Sequence, residues 1–297
     1  MKRSTLILVV ILAVLAAAAF LVMQQPGEIS TTGRTGGMLV YYDSMAVDKL
    51  EIITSSSTVT LEKQAGTWML AAPLRYKADV SAVTAAVGQG RRMELTSLVS
   101  TNPEKQKLFL VDSTGTLVKV FEKGVERTAF RVGKPSSSFT ETYVRREGTN
   151  EVHLADGILT NTFVRQPNDW RDKAIFALDE GQITSVKFQY GDTTFTLALA
   201  DSLWRIGADS AAQPTVKSFL TSLSRFQTDE FIDSTVSTLP KLTALVEVGG
   251  TQFRFYWNKE GTWYYVQTSQ SSQWFKVQSW KAGQILKRKK DLLPPAA

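Results

Sequence analysis

The stretches GTWML (residues 66–70) and SLWRI (residues 202–206) share one pattern, in which a tryptophan follows a turn and an apolar residue comes two positions later. Trp68 and Trp204 are 136 positions apart, and apolar residues upstream of both keep this offset without a gap. A fixed offset of this size is typical of a duplicated domain, because solenoid repeats are much shorter. The matched pairs are Val47 with Ile183, Leu50 with Val186, Ile52 with Phe188, and Leu61 with Leu197. The sequence therefore predicts one fold of about 135 residues that occurs twice in tandem.

Each repeat begins with apolar residues that alternate with polar ones, as in VDKLEII (residues 47–53) and ITSVKFQY (residues 183–190). This period of two predicts β-strands. An amphipathic helix is predicted next, with Asp79 as a suitable N-cap in the first repeat and Pro214 near the helix start in the second. Later strands are predicted at LVKVFEK, TAFRVG, TETYVRR and EVHLA, and at ALVEV, QFRFYW, TWYYVQ and QWFKVQ.

Strands without regular intervening helices predict antiparallel sheet and the α+β class. We therefore expect two tandem-duplicated lobes of antiparallel sheet, each with a packed amphipathic helix, and one N-terminal transmembrane helix. The predicted divisions are a transmembrane signal anchor at residues 1–25, a flexible linker at 26–40, the first α+β repeat at 41–180 and the second at 181–297.

The N-terminal segment carries the strongest local signal in the chain. Lys2 and Arg3 precede an apolar run at residues 6–23, which has about the length of a helix that spans a bilayer. The next basic residue is Arg34, so the charges predict a cytoplasmic N-terminus and an extracytoplasmic remainder. Membrane contact is accordingly expected through residues 5–23. A cleaved signal peptide is the alternative, because the small residues at 17–19 suit a signal peptidase.

Composition excludes several classes of protein. The formal net charge of +6 falls to +4 when Lys2 and Arg3 are set aside, and so mild an excess does not indicate nucleic-acid binding. No cysteine is present, so neither a disulfide nor a lipid anchor on cysteine can form. An exported domain without thiols must depend on its hydrophobic core for stability.

Both tryptophans of the repeated pattern are predicted to fill the space between sheet and helix, because apolar positions around Trp68 and Trp204 repeat with them. Stacking on a carbohydrate is the functional alternative for these two rings.

Several short motifs of the first repeat occur in a characteristic order. They are the W-x-L strand with a later proline (Trp68, Leu70, Pro73), Ala78-Asp79 at a helix start, Val132-Gly133 at a strand end, YVR (residues 143–145) and DWRDK (residues 169–173). With these motifs the chain resembles the DUF4340 family from about residue 47 onward, and DWRDK is the most specific of them.

The resemblance implies a bacterial extracytoplasmic protein with an N-terminal membrane anchor, of a kind that often accompanies ABC transport systems of the gliding-motility type. It implies an accessory role and supplies no catalytic residue. The second repeat has LKRKKDLL where the first has DWRDK, so a site built on that pentad would occur once. The predicted partner-contact or family-motif residues are Tyr143, Arg145, Asp169, Trp170, Arg171, Asp172 and Lys173.

The residue types and motifs of the sequence give little indication of a catalytic site. His153 is the only histidine, and on a predicted strand it shares one face with Glu151 and Ala155, which favours a partly exposed structural residue. No serine elbow, zinc-ligand cluster or phosphate-binding glycine loop occurs, so no catalytic residue, metal or cofactor is expected.

The DWRDK segment supports two interpretations. Asp169 and Asp172 are the best local pair of carboxylates for glycan cleavage, but alternation with Arg171 favours a salt-bridged corner. Trp170 is expected to fill space between the two repeats, or to anchor a partner together with Arg171.

A second charge cluster, KRKK at residues 287–290, favours a solvated helix end over a contact with anionic lipid.

Together these features predict a single-pass protein of the bacterial inner membrane whose bulk lies outside the cytoplasm. We expect it to act as an accessory or scaffold protein of a membrane transport or envelope complex, through protein partners and not nucleic acid. A sugar- or lipid-binding module is the alternative, and a glycan-active hydrolase is a further one.

Overall fold

A computed structural model describes residues 36–191, 193–234, 236 and 238–295. The chain divides into two compact units between Asp172 and Lys173, whereas the sequence placed the division between residues 180 and 181. The earlier position has a local cause. The amide of Ile175 donates to the carbonyl oxygen of Phe226, and the amide of Thr228 donates to that of Lys173, so the segment after Asp172 is hydrogen-bonded within the second unit.

Over residues 36–172, the first unit contains a nine-stranded antiparallel sheet, two helices and two 3₁₀ segments. Its strands are β1 (Val47–Ile53), β2 (Thr58–Gln64), β3 (Thr67–Ala72), β4 (Tyr76–Lys77), β5 (Leu95–Ser100), β6 (Thr116–Glu122), β7 (Val125–Pro135), β8 (Glu141–Arg146) and β9 (Val152–Asp156). Their order across the sheet is β4-β3-β2-β1-β6-β7-β8-β9-β5. The helices are α1 (Val80–Arg91) and α2 (Thr160–Phe163), and the 3₁₀ segments are Pro103–Phe109 and Pro167–Trp170.

The second unit contains another nine-stranded antiparallel sheet. Its strands are β10 (Ser185–Tyr190), β11 (Thr193–Ala200), β12 (Leu203–Ile206), β13 (Asp209–Ser210), β14 (Glu230–Ile232), β15 (Leu242–Val248), β16 (Thr251–Trp257), β17 (Trp263–Thr268) and β18 (Trp274–Gln278). Their order is β13-β12-β11-β10-β15-β16-β17-β18-β14. The helices are α3 (Gln213–Ser224), α4 (Ser279–Ile285) and α5 (Lys289–Leu292), and a 3₁₀ segment spans Glu180–Gln182.

The two sheets have the same connectivity, strand for strand, and the same register. Leu50 lies opposite Leu61 in the first sheet, and Val186 lies opposite Leu197 in the second, which are the residues paired by the sequence offset. The predicted α+β class with two lobes of antiparallel sheet is confirmed. Strands β5 and β14 were not predicted. Both are short, and neither shows a clear alternation of buried and exposed residues.

The predicted amphipathic helices are both present. Asp79 is the N-cap of α1, and its carboxylate accepts from the amides of Ser81 at 2.9 Å and Ala82 at 3.1 Å. Helix α3 has no side-chain cap but carries Pro214 in its first turn, where the missing N–H costs nothing. Each helix buries one apolar stripe, with Val83 and Val87 in α1 and Phe219 and Leu223 in α3.

The two repeated tryptophans differ in burial. Trp68 is 8% exposed and belongs to the hydrophobic core of the first unit, as the sequence predicted. Trp204 is only partly buried, so its role as core filler is weaker than predicted.

The predicted anchor at residues 1–25, with its membrane contact at 5–23, and linker residues 26–35 lie outside the described residues. Over the described ranges, no helix combines the length and the apolar character that a membrane span needs. The predicted linker ends too late, because Leu39 and Val40 are buried in the core of the first unit. The amide of Leu39 also donates to the carbonyl oxygen of Met93 at 3.1 Å.

Candidate functional site

The DWRDK segment lies along the start of helix α1. The carbonyl oxygen of Trp170 accepts from the amide of Asp79 at 2.9 Å, and the amide of Asp172 donates to the carbonyl oxygen of Lys77 at 2.9 Å. Trp170 has no exposed surface and belongs to the hydrophobic core of the first unit. The sequence had instead predicted that it fills space between the repeats. The backbone and the indole therefore hold the helix start in place.

The charged residues of the pentad also make local contacts. The guanidinium of Arg171 lies 4.3 Å from the ring centre of Tyr76, and Nη1 donates to Oδ1 of Asn168 at 3.0 Å. The Asp172 carboxylate is 2.7 Å from Nζ of Lys77. Asp169 is exposed, and the carbonyl oxygen of Lys173 accepts from the amide of Thr228. Trp170 and Arg171 have no exposed surface, so neither presents an anchor to a partner in this conformation.

In the second unit, a different segment makes the equivalent contact with the start of helix α3. The carbonyl oxygen of Leu292 accepts from the amide of Ala212 at 2.8 Å, and the Leu292 side chain is fully buried. In the KRKK cluster, Arg288 lies 3.7 Å over the ring of Tyr190, whose pKa is raised by burial, and Lys289 is 2.9 Å from the Asp209 carboxylate. Arg288 and Lys289 of this cluster therefore make contacts within the second unit.

The YVR motif fastens a loop to the sheet. Arg145 is 7% exposed, and its Nε donates to the carbonyl oxygen of Val111 at 2.7 Å. Its Nη1 donates to the carbonyl oxygen of Thr149 at 2.8 Å, and Nη2 lies 3.2 Å from Glu147. Burial lowers the pKa of Arg145, and Glu147 opposes this shift. Tyr143 packs on Phe109 with ring centres 4.6 Å apart.

Gly133 allows the same loop to approach the sheet closely. A Cβ at this position would overlap the carbonyl oxygen of Phe109 and lie 2.7 Å from Cγ1 of Val111. Between these two loop residues, Leu110 adopts the left-handed conformation at φ 56° and ψ 40°, which is unfavourable for a leucine. The motif residues Gly133, Tyr143 and Arg145 therefore position a strained backbone turn.

That turn forms one wall of a cleft in the first unit, with a volume of about 360 Å³. The other walls come from the β1–β2 turn, the end of β7 and the segment after α2. Two apolar side chains of the lining are exposed, Leu110 by 44% and Val164 by 49%. We call this feature the first-unit cleft.

The charge of the first-unit cleft is one-sided. Its lining includes Lys134 and Arg165, several serine and threonine hydroxyls, and no carboxylate. Arg165 donates from Nε to the carbonyl oxygen of Asn161 at 2.9 Å and lies 5.4 Å from the Trp170 ring, and Nζ of Lys134 lies 5.9 Å from the Tyr143 ring. Within the described chain neither cation takes part in an ion pair.

The corresponding region of the second unit has diverged. Register places Tyr256 where the first unit has Gly133, and Tyr265 where it has Tyr143. Alternation with buried residues puts four partly exposed aromatic side chains on one face of this sheet, and we call it the second-unit aromatic face. Its members are Tyr256, Trp263, Tyr265 and Trp274, with Trp263 and Tyr265 ring centres 4.4 Å apart and those of Tyr256 and Trp274 5.7 Å apart.

His153 is buried, whereas the sequence predicted partial exposure. The residue is 6% exposed, and Nε2 lies 3.3 Å from the Glu151 carboxylate. The sequence did not reveal strand β5. This strand pairs with the edge of β9 that does not pair with β8, so β9 is not at the edge of the sheet and His153 is less exposed than predicted. In the part of the chain that the structure describes, no group of three potential ligands could hold a metal ion.

A family model described as domain of unknown function (DUF4340) matches residues 68–244, which is more than half of the chain. The chain belongs to the DUF4340 family. No curated protein and no solved structure matches this DUF4340 chain. The matched range includes Gly133, Tyr143, Arg145 and all cleft residues except the β1–β2 turn.

Sequence reasoning missed the cleft residues Leu110, Lys134, Val164 and Arg165. Leu110, Val164 and Arg165 lie in irregular segments where no hydrophobic period marks a face, and Lys134 lies at the end of β7 beyond the predicted strand. One signal was available, because Asn102 followed by Pro103 indicates a helix start, and Asn102 indeed caps the 3₁₀ segment that leads to Leu110.

Proposed function

We propose that this DUF4340 protein is a membrane-anchored extracytoplasmic accessory or scaffold protein that binds a protein component of a membrane transport or cell-envelope complex. The observation that carries the proposal is the first-unit cleft with its exposed apolar side chains. Apolar side chains grouped around a concave surface are typical of interaction sites, whereas scattered ones need no explanation. The family motifs support the proposal, because Gly133 and Arg145 maintain the cleft wall.

The membrane part of the proposal draws on the sequence. The apolar run at residues 6–23 and the charges of Lys2 and Arg3 support a single span in the bacterial inner membrane with a cytoplasmic N-terminus. Residue 36, where the described chain begins, follows this run by only 13 positions, so the first unit would be held near the membrane.

The test is purification of the full chain from its native membrane after mild solubilisation. We expect a complex of fixed stoichiometry to co-purify with the wild type and to be lost when Leu110 and Val164, the two exposed apolar residues of the lining, are both replaced by serine. The matched control is Val125→Ser, because Val125 is 69% exposed in the hairpin between β6 and β7, away from the cleft lining. Equal recovery of the complex with all three proteins would contradict the proposal.

The second-unit aromatic face favours a second candidate, an extracytoplasmic sugar-binding module. Exposed tryptophan and tyrosine rings can stack on sugar rings, and Arg254, Gln267 and Lys276 lie on the same face to contact hydroxyls. Soluble glycan fragments of the envelope should then raise the melting temperature of the wild type but not of a Trp263→Ala, Trp274→Ala variant. We do not propose glycan cleavage, because Asp172 of the suggested carboxylate pair is bonded to Lys77.

A further inference from the structure

We propose that the first-unit cleft binds a short acidic peptide segment of its protein partner, with carboxylates beside Lys134 and Arg165 and apolar side chains against Leu110 and Val164. This inference rests on the proposed function, because it names the chemistry of the partner that the cleft would receive.

The charge of the lining indicates that the ligand is negatively charged. Two cations line the cleft, and the lining contains no carboxylate to neutralise them. The Arg165 guanidinium is held by Asn161 and by the Trp170 ring, so its position is set before a ligand arrives. Charge-assisted hydrogen bonds to a carboxylate are about twice as strong as neutral ones, and little conformational entropy is lost when the donor is already ordered.

The apolar side chains distinguish a peptide from other anions. Leu110 and Val164 are aliphatic and about half exposed within the lining. Aliphatic side chains match leucine- or valine-like groups of a peptide, whereas a polyanionic glycan would leave this apolar surface in water. A cavity of about 360 Å³ is near the lower end for ligand pockets, so only a short segment would enter it.

The hydroxyl groups of the lining suit the backbone of such a segment. Thr54, Ser55, Ser56, Thr114, Thr116 and Thr160 all border the cleft. The hydroxyls of Thr54 and Thr114 already donate, to Ser57 and Asp112, but a hydroxyl oxygen can still accept from the amides of an extended peptide.

The wall beside Leu110 is fixed in advance. The Arg145 hydrogen bond to Val111, the ring contact between Tyr143 and Phe109, and the close approach over Gly133 hold this wall against the sheet. Because the cleft does not have to be ordered by its ligand, a short peptide can bind measurably.

The test uses the full chain in nanodiscs of neutral phosphatidylcholine and three fluorescein-labelled octapeptides. One alternates Asp with Leu, one replaces each Asp by Asn, and one replaces each Asp by Lys. We expect fluorescence anisotropy to show that the Asp peptide binds about tenfold more tightly than either of the others and that its binding weakens with added salt. The double variant Lys134→Gln, Arg165→Gln should weaken it about fivefold or more, since two charge-assisted contacts are lost.

The matched control replaces Lys123 and Arg127 by Gln, because both are exposed cations outside the cleft lining. Arg165→Gln also removes a contact to Trp170, so Lys134→Glu, at an exposed position, is measured as a second variant and should weaken the Asp peptide further. Melting temperatures verify that each variant is folded.

Equal affinity for the three peptides, or an equal loss in the control variant, would overturn the inference. So would absence of peptide binding together with binding to vesicles of anionic phosphatidylglycerol, which would assign the cations to a lipid surface. The proposed function is judged separately: co-purification of a complex without any preference for the acidic peptide would refute this inference and leave the scaffold role intact.

Discussion

The guanidinium Nε of Arg145 lies 2.7 Å from the carbonyl oxygen of Val111, to which it donates a hydrogen bond across 34 positions of the chain. The other donors of the same side chain reach Thr149 and Glu147, so one buried cation joins the loop after the 3₁₀ segment, the strand β8 and the turn that follows it. A residue of the family motif thus acts on the cleft through the loop that it holds, without lining the cleft itself.

Replacement of Arg145 by methionine should lower the free energy of unfolding of the first unit by about 2–4 kcal/mol. The methionine fills much of the space but leaves the carbonyl oxygens of Val111 and Thr149 without their donors. Urea unfolding followed by hydrogen exchange in peptides of the first sheet measures the change.

The control for this substitution is the neighbouring residue. Arg146 points to the opposite face of β8 and is exposed, so Arg146→Met should change the free energy of unfolding by no more than about 0.5 kcal/mol. If both substitutions had equal effects, the contacts of Arg145 would not be the source of the stability.

Replacement of Gly133 by alanine should destabilise the first unit by about 1–3 kcal/mol, because the added Cβ overlaps the Phe109 carbonyl oxygen and crowds Val111. Hydrogen exchange should rise most in residues 103–115, which must move away from the sheet. Gly88→Ala is the matched control in the same unit. Its Cβ meets only the flexible end of Arg92 at 3.3 Å, and alanine favours a helix interior, so a small gain is expected. Unchanged exchange in residues 103–115 of the Gly133 variant would contradict the account.

The duplicated sheets could be predicted from the sequence because their strands alternate regularly. Leu50, Leu61 and Leu70 are each fully or almost fully buried, and Val186, Leu197 and Ile206 repeat them at the predicted offset. The N-cap role of Asp79 was equally predictable, since it depends only on local geometry.

The cleft could not be predicted in the same way. Its residues are brought together from four separate segments by long-range contacts such as that between Arg145 and Val111. For DWRDK, the sequence favoured a structural role but placed Trp170 between the two repeats. Trp170 and Arg171 are instead buried at the start of α1, with Trp170 in the core of the first unit.

Replacement of Trp170 by phenylalanine should be tolerated far better than replacement by alanine. Within the described chain, the buried Nε1 of Trp170 has no hydrogen-bond acceptor, so phenylalanine removes an unsatisfied donor along with part of the ring. Alanine leaves a cavity in the core and should cost about 3–5 kcal/mol, whereas phenylalanine should cost less than about 1.5 kcal/mol. Urea unfolding of the first unit measures both, and similar losses for the two variants would show that Nε1 has a stabilising partner.

The second unit provides a comparison for this prediction. Leu292 accepts the equivalent backbone hydrogen bond from Ala212 and is also fully buried. Leu292→Ala should therefore destabilise the second unit by about 2–5 kcal/mol and leave hydrogen exchange in the first unit unchanged.

Leu110 offers a way to separate the backbone of the cleft wall from its side chain. At φ 56° a residue with a Cβ is strained by about 1–2 kcal/mol, whereas glycine adopts this conformation freely. Leu110→Ala and Leu110→Gly both remove the exposed side chain, but only glycine relieves the strain. We expect the glycine variant to exceed the alanine variant in free energy of unfolding by about 1 kcal/mol, while both lose co-purification of the partner complex. A less stable glycine variant would mean that residue 110 is not left-handed in solution, and retained co-purification in both variants would mean that the Leu110 side chain does not contact the partner.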